Sequence, residues 1–286
     1  IDNEVKELIK SIEATLGYDN HTNAVLVGAG QLGKALLNYE GFEEFGVTIK
    51  AAFDIKVPKQ SSRKNSKQIL PMEEFKDYCK NNNIKKIVFS SSSAVYGENP
   101  NMPLNEGENF DPCSPYAAQK ASGELYLKSF YEAYGLNYVA LRYFNVFGPR
   151  QDENSPYAAV IPKFISAILK GESPEIYGDG EQSRDFIFVK EIAKANIAAA
   201  ESDFNGVLNV ALGKSMTINQ LFDIVSDVLE SDLKVKYLDE RPGDIKHSLA
   251  DISNLEKINF KPEEDKFEEQ LRETVKWFKE EMEKKN

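Results

Sequence analysis

Cysteine, histidine and tryptophan are scarce in this 286-residue chain, which holds Cys79 and Cys113, His21 and His247, and one Trp. Two cysteines cannot make a disulfide framework, so a reducing, cytoplasmic setting is expected. Two histidines leave a His/Cys zinc site without ligands, and no metal is expected. No uninterrupted apolar run nears the ~18 residues of a membrane span, and no charged-then-apolar leader opens the chain, so neither membrane span nor signal peptide is expected. Basic residues are outnumbered, 35 Lys+Arg against 46 Asp+Glu, a net charge of −11. That balance argues against nucleic acid as the main partner, because phosphate backbones demand concentrated Lys and Arg. What remains, 41% hydrophobic and 28% charged residues, suits one large α/β domain or two modest ones.

The order of elements is legible in outline. Val5, Leu8, Ile9, Ile12 and Leu16 stand at helical spacing and predict a short amphipathic helix over 4–16. From Ala24 a short apolar run predicts a strand, then GAGQLG, then a helical ALLNYE. A second strand is predicted over 47–55, and the polar, basic stretch 56–67 reads as a solvated loop. A brief strand at QIL, a helix over MEEFKDYCKNNN and a buried strand at 85–90 follow. SPYAAQKASGELYLKSFYEAYG then predicts a helix of about five turns, and NYVALRYFNVFG a further strand and loop. Such alternation implies a mainly parallel sheet with helices on both faces. Beyond 150 come helices at IPKFISAILKG and VKEIAKANIAAAES, and a capping box, Thr217-x-x-Gln220, opening another. The last helix puts Phe267, Leu271, Val275, Phe278 and Met282 on one side. The expected fold is α/β: a Rossmann-type parallel sheet over 1–150, then a smaller mixed region over 151–286, with some chain crossing back.

Gly28-Ala29-Gly30-Gln31-Leu32-Gly33 lies between a predicted strand and helix. There Gly28 permits a tight turn, Gly30 lets the backbone approach a pyrophosphate, and Gly33 allows close helix–strand packing. Phosphates would meet the helix N-terminus through the Gln31 and Leu32 turn. Asp54, 21 residues beyond Gly33 at the end of the next strand, is placed to accept from an adenosine ribose hydroxyl. It also disfavours a 2′-phosphate, so NAD is expected rather than NADP. A glycine-rich turn in a cofactor-free domain is the plainer alternative.

Tyr116 and Lys120 stand at i and i+4 of one predicted helix and so share a face. An ammonium there can draw a phenol's pKa down from about 10 by stabilising the phenolate, making Tyr116 a proton acceptor for a substrate hydroxyl. Alone, the pair reads more readily as a solvated helix face. A strand ending in Ser90-Ser91-Ser92-Ser93 strengthens it, since those hydroxyls can polarise the same oxygen; their plainer reading is a turn or cap.

IVFSSSSAVYG, SPYAAQK, LRYFNVFGPRQ, IYGDGEQSRDFIFV and ERPGD stand in the order and spacing of the extended short-chain dehydrogenase/reductase family. Over residues 85–280 the chain most resembles that family's nucleotide-sugar epimerases, of the UDP-glucose 4-epimerase type. The resemblance implies NAD as cofactor, a nucleotide-diphosphate sugar as substrate, and a homodimer formed by the Tyr-bearing helix and its neighbour. It makes Tyr116 the acid/base, gives Lys120 the nicotinamide ribose, and sets Ser92 on the reacting sugar oxygen. Asn145 matches a substrate-contacting Asn, Arg184 and Arg241 the diphosphate-binding arginines, and Asp244 a nucleoside-ribose acid. Two guanidiniums grip phosphate oxygens bidentately without a basic surface; singly, each reads as a surface ion pair. The family's dehydratases carry Asp-Glu where Ser93 and Ala94 stand, and its decarboxylases a Glu at Ala94. Epimerisation is therefore expected, ahead of a non-catalytic NAD(H)-binding module and of a dehydratase or reductase.

Residues 1–84 carry a different likeness. VGAGQLGKALLNYEGFEEFGVTIKAAFDI resembles the NADH-sensing core of Rex-type redox repressors. Val27 stands where the epimerase family's GxxGxxG has its first glycine, and the family's HLAA-like strand is missing. Only 64 residues separate Gly28 from Ser92, about one βα unit short for the family. The expectation is a hybrid joined near residue 85, with catalytic groups at risk of displacement by a strand spacing of about 4.8 Å.

Overall fold

The computed structural model describes residues 22–37, 39, 42, 47–57, 68–82, 84–151, 160–240 and 245–284. The helix expected over 4–16 and most of the basic loop lie outside them, as do Arg241 and Asp244. The chain divides into two compact units, 1–85 and 86–286.

In the first unit, β1 (Thr22–Val27), α1 (Gln31–Leu37), β2 (Val47–Asp54), β3 (Ile69–Pro71) and α2 (Phe75–Asn81) follow in order. All three strands are parallel, in the order β1-β2-β3. Strand β2 buries Val47, Ile49, Ala51, Ala52 and Phe53. That near-continuous apolar run is what a strand inside a parallel sheet requires. The Phe53 ring meets Phe75 and Tyr78 of α2 edge-on at 5.2 and 5.3 Å, fixing the helix on its strand.

The second unit begins with β4 (Lys86–Ser92), α3 (Pro115–Tyr134), β5 (Asn137–Tyr143) and β6 (Asn145–Phe147). It continues with α4 (Val160–Leu169), β7 (Glu175–Tyr177), β8 (Ser183–Phe188), α5 (Val189–Glu201) and β9 (Gly206–Val210). Last come β10 (Ser215–Thr217), α6 (Ile218–Leu229), β11 (Lys236–Leu238) and α7 (Phe267–Glu283). Strands β4-β5-β9 make a parallel sheet, with β4 at its edge among the described residues. Helix α3 covers the face bearing Ser91 and Arg142, which both bond Glu124. Helix α5 covers the other, where Asn196 donates to the Tyr143 hydroxyl. Helices on both faces of a parallel sheet make this the Rossmann-type α/β fold expected.

The smaller β10-β8-β6 sheet mixes directions, β8 running parallel to β6 and antiparallel to β10. Behind it Phe164 and Ile165 of α4, Leu221 and Val225 of α6, and Leu271 and Val275 of α7 form one core. The predicted capping box is complete: Gln220 N–H donates to Thr217 Oγ1 at 3.1 Å, and Thr217 N–H to Gln220 Oε1 at 2.9 Å.

Candidate active site

Helix α3 is well delimited. Ser114 caps it, its hydroxyl accepting from Ala117 N–H at 3.1 Å, Pro115 occupies its first position, and Gly135 ends it in the left-handed conformation. Tyr116 therefore sits in the first turn, 42% exposed. One turn on, Lys120 turns inward and donates to the Ser90 carbonyl at 2.8 Å. Its ammonium lies 5.6 Å from the Tyr116 ring centroid and 5.3 Å from that of Phe89. Partial burial pulls the Lys120 pKa down from the ordinary lysine value.

The serine run splits by strand alternation. Ser90 bonds the Tyr143 hydroxyl at 3.1 Å on the α5 face, whereas Ser91 bonds Glu124 on the α3 face. Ser92 ends β4 half-buried, and its Oγ accepts from Ala94 N–H at 3.2 Å, capping the short turn 93–96. The plain reading as a capping device is met at Ser92.

Farther along, Asn145 opens β6 and donates through Nδ2 to the Asp185 carbonyl at 3.0 Å. Arg184 on β8 donates to the carbonyls of Ser183 and Lys246 at 2.9 and 3.2 Å. The Asp185 side chain is buried and accepts from the N–H groups of Leu212, Gly213 and Ala250 at 2.9, 3.1 and 3.2 Å. Burial raises its carboxyl to about 7 against the pull of those donors. Beside Arg184 opens a pocket of about 190 Å³ lined by Tyr177, Gln182, Glu240, Lys246 and His247 among others. His247, on its wall, has Nδ1 3.0 Å from Ser183 Oγ.

In the first unit, Gly28 follows β1 at φ +92° and donates to Phe53 O at 2.7 Å. A methyl on Gly33 would come 1.9 Å from Gly28 O, so the third glycine secures helix–strand packing as predicted. At Gly30 a methyl would meet nothing within 4 Å, leaving open space beside the loop backbone. Leu32 is half-buried, and Gln31 begins α1. Asp54 Oδ2 accepts from Ala29 N–H at 2.6 Å and Oδ1 from Lys56 N–H at 2.9 Å. Those donors lower its pKa, the Lys56 bond most. An open loop backbone with an ionised carboxylate bonded to it is a donor and acceptor set that fits a dinucleotide's pyrophosphate and ribose.

Sequence reasoning missed Glu124, Arg142 and Asp185. Their signal was available: a charge inside an apolar run, as in NYVALRYFNV or SRDFIFV, must find a partner once buried.

The chain thus combines Rossmann-type parallel sheets with a helix that carries Tyr-x-x-x-Lys. Residues 44–211 match the sequence model of the NAD dependent epimerase/dehydratase family, and the chain belongs to that family. A putative UDP-glucose 4-epimerase of Methanocaldococcus jannaschii is 41% identical over 197 residues, 68% of this chain and 64% of that protein. Among solved structures, UDP-N-acetylglucosamine 4-epimerase from Methanobrevibacter ruminantium, in complex with UDP-N-acetylmuramic acid, is 59% identical. It matches 92% of this chain and 100% of its own with a TM-score of 0.82. UDP-glucose 4-epimerase from Thermus thermophilus, in complex with NAD, is 26% identical at a TM-score of 0.76, over 90% of this chain and 99% of its own. The chain spans 64% of the length of the first curated relatives it matches.

These matches give the hybrid reading no support. The family match starts at residue 44, inside the segment read as Rex-like. The 59%-identical structure matches 92% of the chain, more than residues 86–286 can supply. The Rex-like resemblance rested mostly on the run LLNYEGF and on the ending AAFD, whose Asp54 closes β2. Of these only Asp54 belongs to the fingerprint common to dinucleotide-binding βαβ units, and likeness over runs this short does not distinguish one family from another.

Proposed function

We propose that this protein is an NAD-dependent nucleotide-sugar 4-epimerase acting on UDP-hexoses. The single observation that carries the reading is Lys120, docked at 2.8 Å on the carbonyl of Ser90 and lying beside the ring of the exposed Tyr116. It brings an ammonium, a phenol and the serine-bearing end of β4 to one end of one helix. The relatives named for 4-epimerisation support the reaction, and the 59%-identical one supports N-acetylated UDP-sugars among the substrates.

Gly28, Gly30, Gln31, Leu32, Gly33 and Asp54 would hold NAD, with Tyr116 and Lys120 reaching its nicotinamide ribose. When bound, NAD supplies a reversible hydride acceptor. Tyr116, as phenolate, takes the proton of the sugar C4 hydroxyl and returns it in the reverse direction. Lys120 stabilises the phenolate, and Ser92 holds the reacting oxygen by a hydrogen bond. With bound NAD supplying removal and return of hydride at C4, a 4-keto sugar free to turn over in the site would be released as either C4 epimer. Asn145 orients the sugar, while Arg184 and Arg241 hold the diphosphate and Asp244 the nucleoside ribose. In functional terms residues 1–150 serve the cofactor and 151–286 the sugar nucleotide, with some chain crossing back. A homodimer through α3 is part of the proposal, supported by the exposed Leu125, Tyr126, Phe130 and Tyr134 on that helix.

The test is interconversion of UDP-glucose with UDP-galactose, and of their N-acetyl counterparts, by the chain and its Tyr116→Phe variant. The variant is expected to lose at least about 100-fold in kcat, in line with removal of a positioned acid/base. Full activity in the variant overturns the assignment. Nicotinamide binding without conversion of any sugar points instead to a non-catalytic NAD(H)-binding module.

A further inference from the structure

Under the Tyr-bearing helix lies an ion pair to which the proposed chemistry gives no role. Glu124 and Arg142 are paired at 2.7 Å with side chains 2% and 3% exposed. Arg142 Nε donates to the Glu124 carboxylate at 3.0 and 3.2 Å, so the guanidinium grips it edge-on. The same carboxylate accepts from Ser91 Oγ, and Ser91 is itself buried. Ser91 and Arg142 are register partners on β4 and β5 and point to the same face. Glu124 therefore spans two strands from one helix.

Its place in the helix matters as much as its partners. Tyr116, Lys120 and Glu124 stand at i, i+4 and i+8 of α3, along one face. Lys120 bonds Ser90 and Glu124 bonds Ser91, so consecutive turns of α3 are tied to consecutive residues of β4. Ser92, the proposed hydrogen-bond donor to the sugar, is the next residue of that strand. Arg142 is fixed in turn, its guanidinium 4.6 and 5.1 Å from the ring centroids of Tyr96 and Phe110 and donating to Glu106 O at 3.3 Å.

Well-packed apolar side chains can fill such a volume at equal or better stability than a buried ion pair. What they lack is direction. Apolar packing tolerates a slide of the helix along its own axis, where each residue rises only about 1.5 Å. A carboxylate gripped by one guanidinium and one hydroxyl has a single seat.

We infer that Glu124, seated by Ser91 and Arg142, is a positioning residue that sets the register of α3 on β4 and thereby holds Tyr116 and Lys120 in place against Ser92. This rests on the 4-epimerase reading for its chemical meaning, but its geometry stands without it.

The test compares the full chain with Glu124→Leu/Arg142→Met, which replaces the pair with apolar side chains, and with Ser91→Ala, which removes one arm. The double variant is expected to melt within a few degrees of the parent, to lose about 10- to 100-fold in kcat and to change KM less than threefold. A shift of order 1 Å has that cost for a group acting on reacting atoms. Ser91→Ala is expected to lose several-fold in kcat, again with KM kept, and it decides the matter should the double variant fail to fold. Unchanged kcat in a folded variant overturns the inference. A merely structural role predicts lower stability with kcat per folded molecule preserved. Should the parent convert no sugar, the epimerase reading fails, and crystal structures of the variants judge the brace alone. There, Lys120 Nζ displaced from Ser90 O supports the brace, and the parent spacing of 2.8 Å overturns it.

Discussion

Gly123 lies on α3 where a methyl group would come 2.4 Å from Cζ of Phe89, with two further ring carbons at 2.9 and 3.2 Å. Ordinary contact begins near 3.4 Å, so Gly123→Ala must push ring and helix apart by about 1 Å. Two energies then oppose each other. Alanine is better than glycine inside a helix by about 1 kcal/mol, while overpacking costs about 1–3 kcal/mol. The net loss is about 0–2 kcal/mol, a fall of no more than about 8 °C in Tm for a unit this size. Activity has no such compensation. The Phe89 ring also lies 5.3 Å from the Lys120 ammonium, whose anchor is the next residue of the strand. A displacement of about 1 Å at groups acting on substrate costs about 100-fold. The expected result is a modest change in thermal unfolding, followed by circular dichroism, beside a fall of 10- to 100-fold in kcat for UDP-sugar interconversion. Adding Phe89→Leu should return much of the lost turnover by making room. Wild-type kcat in Gly123→Ala, or a kcat loss that Phe89→Leu leaves untouched, refutes this account of the helix–strand contact.

Gly33→Ala would set a methyl 1.9 Å from Gly28 O, so nicotinamide-nucleotide binding, read by calorimetry, should weaken at least about tenfold; retained affinity contradicts the loop assignment. Asp185 carries a carboxyl raised by burial to about 7, so the folded chain takes up a proton near neutral pH that the unfolded chain takes up only near 4. Lowering the pH from 8 to 5.5 therefore adds stability through this group, and the benefit is lost as pH rises through 7. Urea unfolding should show the stability gap between the parent and Asp185→Asn widening at pH 5.5, and an equal gap at both pH values contradicts it. On α3, Tyr126 and Tyr134 are 69% and 78% exposed; if they face a second copy, Tyr126→Glu/Tyr134→Glu should turn a dimer into a monomer in sedimentation. An unchanged sedimentation coefficient would remove α3 as the interface.

Local physics made much of this molecule legible. The GAGQLG loop declares itself because turn, approach and packing each need glycine at a set spacing, and Gly33 packs as that spacing requires. Tyr116 and Lys120 share a face because four residues only slightly exceed one helical turn. The capping box is a contact three residues long, and both of its bonds form. The Rex-like reading shows the limit of the same reasoning, since likeness over short runs such as LLNYEGF and AAFD does not identify a family.

The sequence by itself determined the parallel α/β class, the strand-to-helix glycine loop and the Tyr116–Lys120 face, all of which depend on spacings of a few residues. Tertiary structure alone decided that Glu124 meets Arg142 and Ser91, 18 and 33 residues away, and that Asp185 gathers N–H groups 27 to 65 residues distant. Those partners become neighbours only when β4 and β5 take register and when β8 meets the loops over 211–214 and 245–250. Burial then makes each meeting obligatory, because a charge removed from water must be paired or neutralised.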